Sequence, residues 1–402
     1  MNKPQRVAFV APFGLGQKTT VWARILPLAR QLVCQGHSAA IIIPPWDTPS
    51  DAGKSWIDGG VQVINVKLGG GAPSVALRMV GVLGRLQPDY VHIVKPRAHA
   101  GLVQWWLWQR RRLQRNGPTL LLDVDDWEQA WATINGYSPL VARFLAWQEE
   151  WGIRHADGIT AASGWLVDRV RQYTPQTPVL YLPNGIDDAI IEEKAPLQSI
   201  PVSNAEGDQP NNILFFSRFV EVEPLWLAEF WRAMQGQWPS TRLLVAGNAL
   251  QPGREKIFQQ AMAQVNPAGA NQIEWLGYIQ PADISALYAR SSCAIFPAMP
   301  TPLLQAKCSV RLATTLLQGV PVVASAVGEQ AAYGAAGAAY LVAPEATAEQ
   351  FADVVGKLLQ QPGQRQQLIQ QAHRHLAADY RWSRLGQQLH QFYAGFQQTS
   401  AK

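Results

Sequence analysis

The chain has 402 residues, 48% of them hydrophobic and 16% charged, with a formal net charge of +5. That is long enough for two domains with full cores and too apolar for a disordered chain, and it lacks the concentrated basic stripe of a nucleic-acid binder. No apolar run is long enough to cross a bilayer, the start Met1-Asn2-Lys3-Pro4-Gln5-Arg6 enters a strand pattern without a secretory segment, and the cysteines (Cys34, Cys293, Cys308) are scattered without metal-ligand spacing, so a reduced, cytoplasmic setting is expected.

Residues 6–12 read as a buried strand. A small-residue loop, Phe13-Gly14-Leu15-Gly16, follows, then a helix pattern carrying Trp22, Ile25, Leu26, Ala29 and Leu32 on one side and ending at Gly36. A strand at 38–44 completes a βαβ unit, whose crossover is right-handed. Strand patterns recur at 61–66, 88–93, 119–124, 158–162 and 179–182, with a helix at 75–86. The last of these strands stops at Leu182-Pro183-Asn184-Gly185-Ile186-Asp187, a turn in which Gly185 accepts dihedrals that other residues resist.

Residues 191–212 are rich in proline and polar residues without apolar periodicity and read as a linker. The grammar then restarts, with strands at 212–217, 242–246, 273–276, 293–297, 321–325 and 338–342. Helices fall at 225–234, 281–290 and 309–318, and two glutamine-rich helices close the chain. Alternating strands and helices on both sides of the linker predict an α/β protein of two Rossmann-like, doubly wound parallel sheets. The expected domains are 1–190 and 213–379.

In open parallel sheets ligands bind beyond the carboxyl ends of the strands. Gly14-Leu15-Gly16-Gln17-Lys18-Thr19 is not a phosphate loop, because Gln17 separates Gly16 from Lys18; the small residues would instead let a ligand approach the backbone near a helix N-terminus. Asp123-Val124-Asp125-Asp126-Trp127-Glu128 closes a strand, and alternation puts Asp123 and Asp125 on one side of it. These carboxylates either cap the next helix or, through Asp125 and Asp126, accept a hydroxyl proton or bind sugar hydroxyls. Ser217-Arg218 follows a strand of the second half, where a guanidinium can clamp a phosphate. If a helix begins at Lys307, then Arg311 and Thr314 share its face and two cations form a diphosphate seat; a solvated basic helix end is the alternative. Asn184 and Gly247 end strands of the same kind. No histidine, cysteine or carboxylate cluster has the spacing of a tight metal site, so no metal is expected. Trp105, Trp106 and Trp108 precede Arg110-Arg111-Arg112. They either fill the core or form an interfacial face for an anionic membrane.

The order of these segments resembles that of GT-B glycosyltransferases, closest to the retaining family-4 type, over nearly the whole chain. The carrying motifs are the 12–32 loop and helix ending Gly36-His37, then Gln87-Pro88-Asp89-Tyr90-Val91-His92, Ala156-Asp157-Gly158-Ile159-Thr160 and the Asn184 turn. They continue with Phe215-Phe216-Ser217-Arg218, Val245-Ala246-Gly247, Trp275-Leu276-Gly277-Tyr278, Leu287-Tyr288-Ala289-Arg290-Ser291-Ser292 and Gly319-Val320-Pro321-Val322-Val323-Ala324-Ser325. The resemblance implies a nucleotide-sugar co-substrate in the second half, bound by Gly14, Gly16, Asn184, Ser217, Arg218, Gly247, Lys307, Arg311 and Thr314. It also implies a glycan, lipid-linked or small-molecule acceptor in the first half, no catalytic metal or other cofactor, and a final helix (380–402) packing back onto the first domain. Arg218, Asp125 and Asp126 are the expected catalytic residues, with Arg218 stabilising the departing diphosphate. The pattern departs from the family at three places. Glu223 stands where a lysine is usual, Thr314 and a position near Ala306 where glutamates are usual, and Asp125 where a histidine is common. Lys307 and Arg311 would supply the missing charge. A GT-B-shaped binding or scaffold protein of a polysaccharide pathway is the alternative reading. The expected location is cytoplasmic, peripheral at the inner membrane face if Trp105, Trp106, Trp108, Arg110, Arg111 and Arg112 are interfacial.

Overall fold

The computed structural model describes residues 4–16, 20–114, 116–193 and 211–399. The expected linker at 191–212 and the segment Gln17-Lys18-Thr19 therefore fall wholly or largely outside the described residues. The chain divides into two compact units. The first holds the chain up to Gly185, Ala306–Cys308 and everything from Trp382 onward. The second holds Ile186–Gln305 and Ser309–Arg381.

The first unit is built on eight strands: β1 (Arg6–Val10), β2 (Ser38–Ile43), β3 (Ser55–Asp58), β4 (Val61–Asn65), β5 (Tyr90–Val94), β6 (Thr119–Val124), β7 (Gly158–Ala161) and β8 (Val179–Tyr181). Their order is β3-β4-β2-β1-β5-β6-β7-β8, and every pair is parallel except β3–β4. The periodicity missed β3, and the sheet is thus not wholly parallel. Gly59 and Gly60, at φ 54° and 81°, turn the chain straight back into a hairpin, and the strand they add is an edge strand exposed on alternate residues. The central strands β1 and β5 are buried on both faces and read as near-continuous apolar runs.

The helix Trp382–Thr399 belongs to this unit. Trp382, Leu385, Leu389 and Tyr393 recur at helical spacing and join the core of Phe9, Ile25, Leu32, Ile41 and Leu121.

The second unit carries β9 (Asn212–Phe216), β10 (Arg242–Ala246), β11 (Ile273–Gly277), β12 (Cys293–Phe296), β13 (Val322–Ser325) and β14 (Tyr340–Val342), all parallel, in the order β11-β10-β9-β12-β13-β14. The strand sequence turns from one direction to the other between β9 and β12, and in the first sheet between β1 and β5. These are the switch points beside which parallel sheets present their ligand loops. One face of the second sheet is sealed by Phe230, Trp231, Phe258 and Phe351.

Candidate functional site

Each unit gathers chemistry at the carboxyl ends of its strands. In the first, the segment after β5 is strained: Lys95 and Ala98 have φ of 55° and 48°, a region that non-glycine residues rarely adopt. The Lys95 amide donates to the Asp123 carbonyl at 3.0 Å. Its ammonium lies 3.1 Å from Asp125, 2.9 Å from Asp126 and 3.0 Å from Glu128. Arg97 adds a second cation on Glu128 and donates to the Tyr137 hydroxyl at 2.8 Å. Glu149, from the helix Pro139–Arg154, accepts from the amides of Glu128 (2.8 Å) and Gln129 (3.2 Å).

Four carboxylates thus face two cations. Burial, followed by the like charges around it, pushes Asp125 up to about 7 despite Lys95, and burial with the charge of Glu128 pushes Glu149 up to about 8. Glu128 resists its own burial because Lys95 and Arg97 hold it below the ordinary glutamate value. Bound protons therefore offset part of the cluster's negative charge near neutral pH. Asp125, Asp126 and Glu128 also form the group among the described residues whose ligand atoms come within 4.8 Å of one another, a spacing suited to a cation; the Lys95 ammonium fills that role.

Asp123 is engaged elsewhere. It is buried and takes a bidentate contact from Arg24, 2.8 Å from Nε and 2.6 Å from Nη2. The other arm of Arg24 donates to the Asn184 side-chain oxygen at 3.1 Å. The Gly14 amide is taken by the Asp47 carboxylate at 2.5 Å, and Gly14 and Gly16 both back onto Asp47 and Thr48. An acid of the protein already occupies the place where an anionic ligand was expected.

In the second unit, Ser217 to Glu223 leaves β9 at the switch point. Glu221 organises it, accepting from the Ser217 hydroxyl (2.7 Å) and from the amides of Arg218 (3.2 Å) and Val220 (3.0 Å). Phe219 sits at φ 60°, its ring buried against Phe215, Phe258 and Trp275. Burial of an aromatic ring of this size holds the strained backbone in place. Arg254 clips the loop from outside, donating from Nε to the Phe219 carbonyl (2.8 Å) and from Nη2 to Glu223 (3.1 Å). Glu223 is largely exposed and points to Arg254.

Arg311 donates to the Phe216 carbonyl (2.9 Å) and to Glu221 (2.9 Å). Arg218 is different: among the described residues its guanidinium has no hydrogen-bond or ion-pair partner. Burial and then the neighbouring Arg311 cation lower its pKa from the ordinary value. A free guanidinium pressed by a second one is a seat for an anion.

The helix expected from Lys307 begins instead at Val310, because Ser309 takes the extended N-cap position. Lys307 lies outside it, so Lys307 and Arg311 do not share a helical face, and the charge of Arg311 is matched by Glu221. The Thr314 hydroxyl donates back to its own helix, to the carbonyls of Val310 (2.9 Å) and Arg311 (3.0 Å).

Sequence reasoning did not single out Lys95, Arg24, Glu149 or Glu221. The available signals were weak, such as a lone lysine just past a buried strand and an acid three residues after Arg218. Of the tryptophan–arginine segment, Trp105 and Trp106 are exposed, Trp108 is half-buried against Trp151 and His155, and Arg111 is turned to Asp157. The neighbouring helix Pro139–Arg154 exposes Leu140, Val141, Phe144 and Trp147. A cavity of about 600 Å³ lies at the other end of the first sheet, lined by Arg6, Asp89, Arg110 and Arg111. The helices Gly71–Leu86 and Ala98–Gln114 end there, and their negative termini oppose an anionic ligand.

Residues 19–185 match the family described as glycosyl transferase 4-like domain, and residues 210–361 match glycosyl transferases group 1. No curated protein matches the sequence. Among solved structures, sucrose-phosphate synthase from Thermosynechococcus elongatus is 16% identical with a TM-score of 0.72, covering 99% of this chain and 100% of that one. Anabaena HepE, solved in complex with UDP-glucose, is 14% identical at TM-score 0.64, covering 97% and 100%. WaaG, a glycosyltransferase involved in lipopolysaccharide biosynthesis, is 16% identical at TM-score 0.63, covering 95% and 98%.

Proposed function

The chain belongs to the GT-B glycosyltransferases, a glycosyl transferase 4-like domain followed by a group 1 domain, and on that premise we propose that it moves a sugar from a nucleotide-diphosphate donor to a glycan, lipid-linked or small-molecule acceptor, with retention at the sugar carbon. The observation that carries this reading is the unpartnered guanidinium of Arg218 beside Arg311 at the switch point of the second sheet. Ser217, Gly247, Thr314, Asn184 and Lys307 are the further proposed donor contacts, while the Asp47 carboxylate on the Gly14 amide speaks against Gly14 and Gly16. As the bond to the sugar breaks, negative charge grows on the diphosphate, and a cation fixed in advance stabilises it without reorganising. Asp125 and Asp126 are the proposed groups that meet the acceptor hydroxyl; an acid displaced to about 7 is matched to taking a proton near neutral pH. The proposed reaction needs no resident metal or other cofactor, a reading supported by the Lys95 ammonium inside the acid group.

Titration calorimetry with nucleoside diphosphates and their hexose derivatives tests the donor reading. One ligand binds the protein, and Arg218→Ala weakens it by roughly 10- to 100-fold, the worth of a charge-assisted hydrogen bond. If no sugar nucleotide binds, the reading is wrong. The Glu221–Arg311 pair favours one competing reading, binding without transfer, because it draws the charge of Arg311 away from the two phosphates. Sugar transfer or hydrolysis detected by mass spectrometry separates the two.

We also propose a peripheral membrane contact. Trp105 and Trp106 on one helix and Leu140, Val141, Phe144 and Trp147 on the next are exposed, and Arg110, Arg112 and Arg143 carry no acidic partner among the described residues. Aromatic rings at headgroup depth with arginines toward anionic lipid would hold the protein near a lipid-linked acceptor.

A further inference from the structure

A single buried chain of hydrogen bonds crosses the first unit. It starts on the helix Trp382–Thr399, where the Tyr393 hydroxyl lies 2.8 Å from His92 Nδ1. His92 Nε2 is 3.1 Å from Thr160 Oγ1, and Thr160 Oγ1 is 2.6 Å from Asp123 Oδ1. Asp123 is gripped by Arg24, and Arg24 Nη1 reaches Asn184 Oδ1. Asn184 Nδ2 then donates to the Cys308 carbonyl at 2.7 Å. Tyr393, His92, Thr160, Asp123 and Arg24 are each no more than 1% exposed.

The chain admits one order of protons. Asp123, ionised against Arg24, can only accept, so the Thr160 hydroxyl donates to it. The Thr160 oxygen therefore accepts from His92 Nε2–H. A neutral His92 protonated at Nε2 has a bare Nδ1, which takes the Tyr393 proton. The Asn184 carboxamide is likewise fixed, its oxygen toward Arg24 and its nitrogen toward Cys308. One end, Asn184, lies where the polypeptide leaves the first unit at Gly185, and a β-carbon on Gly185 would lie 2.6 Å from the ring of Trp382, where the final helix re-enters that unit.

We propose that Tyr393 and His92 are positioning residues for the Asn184 turn, acting through Thr160, Asp123 and Arg24 along one directed hydrogen-bond chain. The inference rests on the reading of Asn184 as a sugar-nucleotide contact. Fully satisfied buried networks of this kind specify one arrangement of the groups they join. The final helix then sets the geometry of a loop nearly 200 positions earlier, without touching substrate.

The matched variants are Tyr393→Phe and Tyr90→Phe. Both phenols serve the same contact, since the Tyr90 hydroxyl donates to the Tyr393 carbonyl at 2.8 Å and the two rings stack at 4.8 Å, but only the Tyr393 hydroxyl belongs to the chain. Hydrogen exchange on the whole protein reads the turn directly. In Tyr393→Phe and in Thr160→Val, the amides of residues 182 and 184–187 exchange roughly tenfold faster, the effect of one lost buried hydrogen bond. In Tyr90→Phe they do not. Nitrogen-15 spectra give the signature that a packing role would not move, with His92 in the Nε2–H form in the wild type and in mixed tautomers in Thr160→Val. Equal exchange in Tyr393→Phe and Tyr90→Phe, or an unchanged tautomer in Thr160→Val, overturns the proposal. Donor KM is measured in parallel. It rises in Asn184→Ala and Tyr393→Phe if the reading of the turn is right. A normal KM in Asn184→Ala alongside faster exchange in Tyr393→Phe overturns that reading and leaves the mechanical coupling standing.

Discussion

Gly247 stands directly against the Ser217 carbonyl: a β-carbon added to it would lie 2.0 Å from that oxygen, and its φ is 106°. Neither contact partner can give way, because the obstacle is backbone and Ser217 is itself fixed by Glu221. Gly247→Ala should therefore cost about 2 kcal/mol or more of stability and displace the Arg218 segment. Urea melts together with donor titration check this. Donor binding falls further than the loss of stability alone explains, and a variant that binds normally would show that the seat does not depend on this approach.

Removing the ammonium of Lys95 should convert an internally neutralised group into an open acid site. Lys95→Ala leaves Asp125, Asp126 and Glu128 facing one another, with an expected loss of roughly 3–5 kcal/mol, the usual consequence of breaking a buried ion pair. Millimolar Mn²⁺ then restores part of the melting temperature in the variant and leaves the wild type unchanged. Equal shifts in both proteins would contradict the assignment.

Two opposed contributions should set the pH dependence of stability, and above about pH 6.5, where the histidine gain is complete, only the loss remains until about pH 8. The histidines supply the first. Burial lowers His92 from 6.5 to about 4, and burial with His390 nearby lowers His37. The unfolded chain takes up these protons first, so stability falls as pH drops through 6.5, by roughly 3 kcal/mol for His92 by the time its own folded value is reached. On the alkaline side Glu149 and Asp125 act with the opposite sign. Each binds its proton more tightly when folded, so their contribution is present below the ordinary carboxylate range and is lost as pH rises toward 8 and 7. Thermal melts from pH 4 to 9 test this. Glu149→Gln flattens the alkaline limb, whatever its effect on absolute stability.

Vesicle flotation should separate the two exposed aromatic faces. Phe144→Ala with Trp147→Ala, and separately Trp105→Ala with Trp106→Ala, should reduce binding to vesicles containing anionic lipid, while folding remains intact because all four rings are exposed. No difference between neutral and anionic vesicles for the wild type would retire the membrane contact.

The architecture was legible because the strands that build it are buried on both faces, and β1, β5, β9 and β12 announce themselves as short, largely apolar runs closed by proline or a polar residue within two positions. The hairpin strand β3 was not, since its alternate exposure and proximity to Gly59-Gly60 resemble a loop. Arg218 could be named from its place after β9. Its partner relationships could not: Glu221 is drawn in by three hydrogen bonds from its own loop, and Lys95 reaches its three acids through a left-handed backbone that no spacing rule predicts. Arg311 looked like a free cation in the sequence because the acid that matches it lies 90 positions away.

Trp382, Leu385, Leu389 and Tyr393 form part of the hydrophobic interior that begins with Val7 and Phe9. On a ribosome the opening βαβ unit emerges long before those side chains exist. That lobe must therefore wait, with a groove of Leu32, Ile41 and Leu121 exposed, until residues 382–393 supply its last wall. A chain cut just before residue 382 would leave the first lobe incomplete and the second whole, so a chaperone that shields this groove would be needed most by the earliest-made half of the molecule.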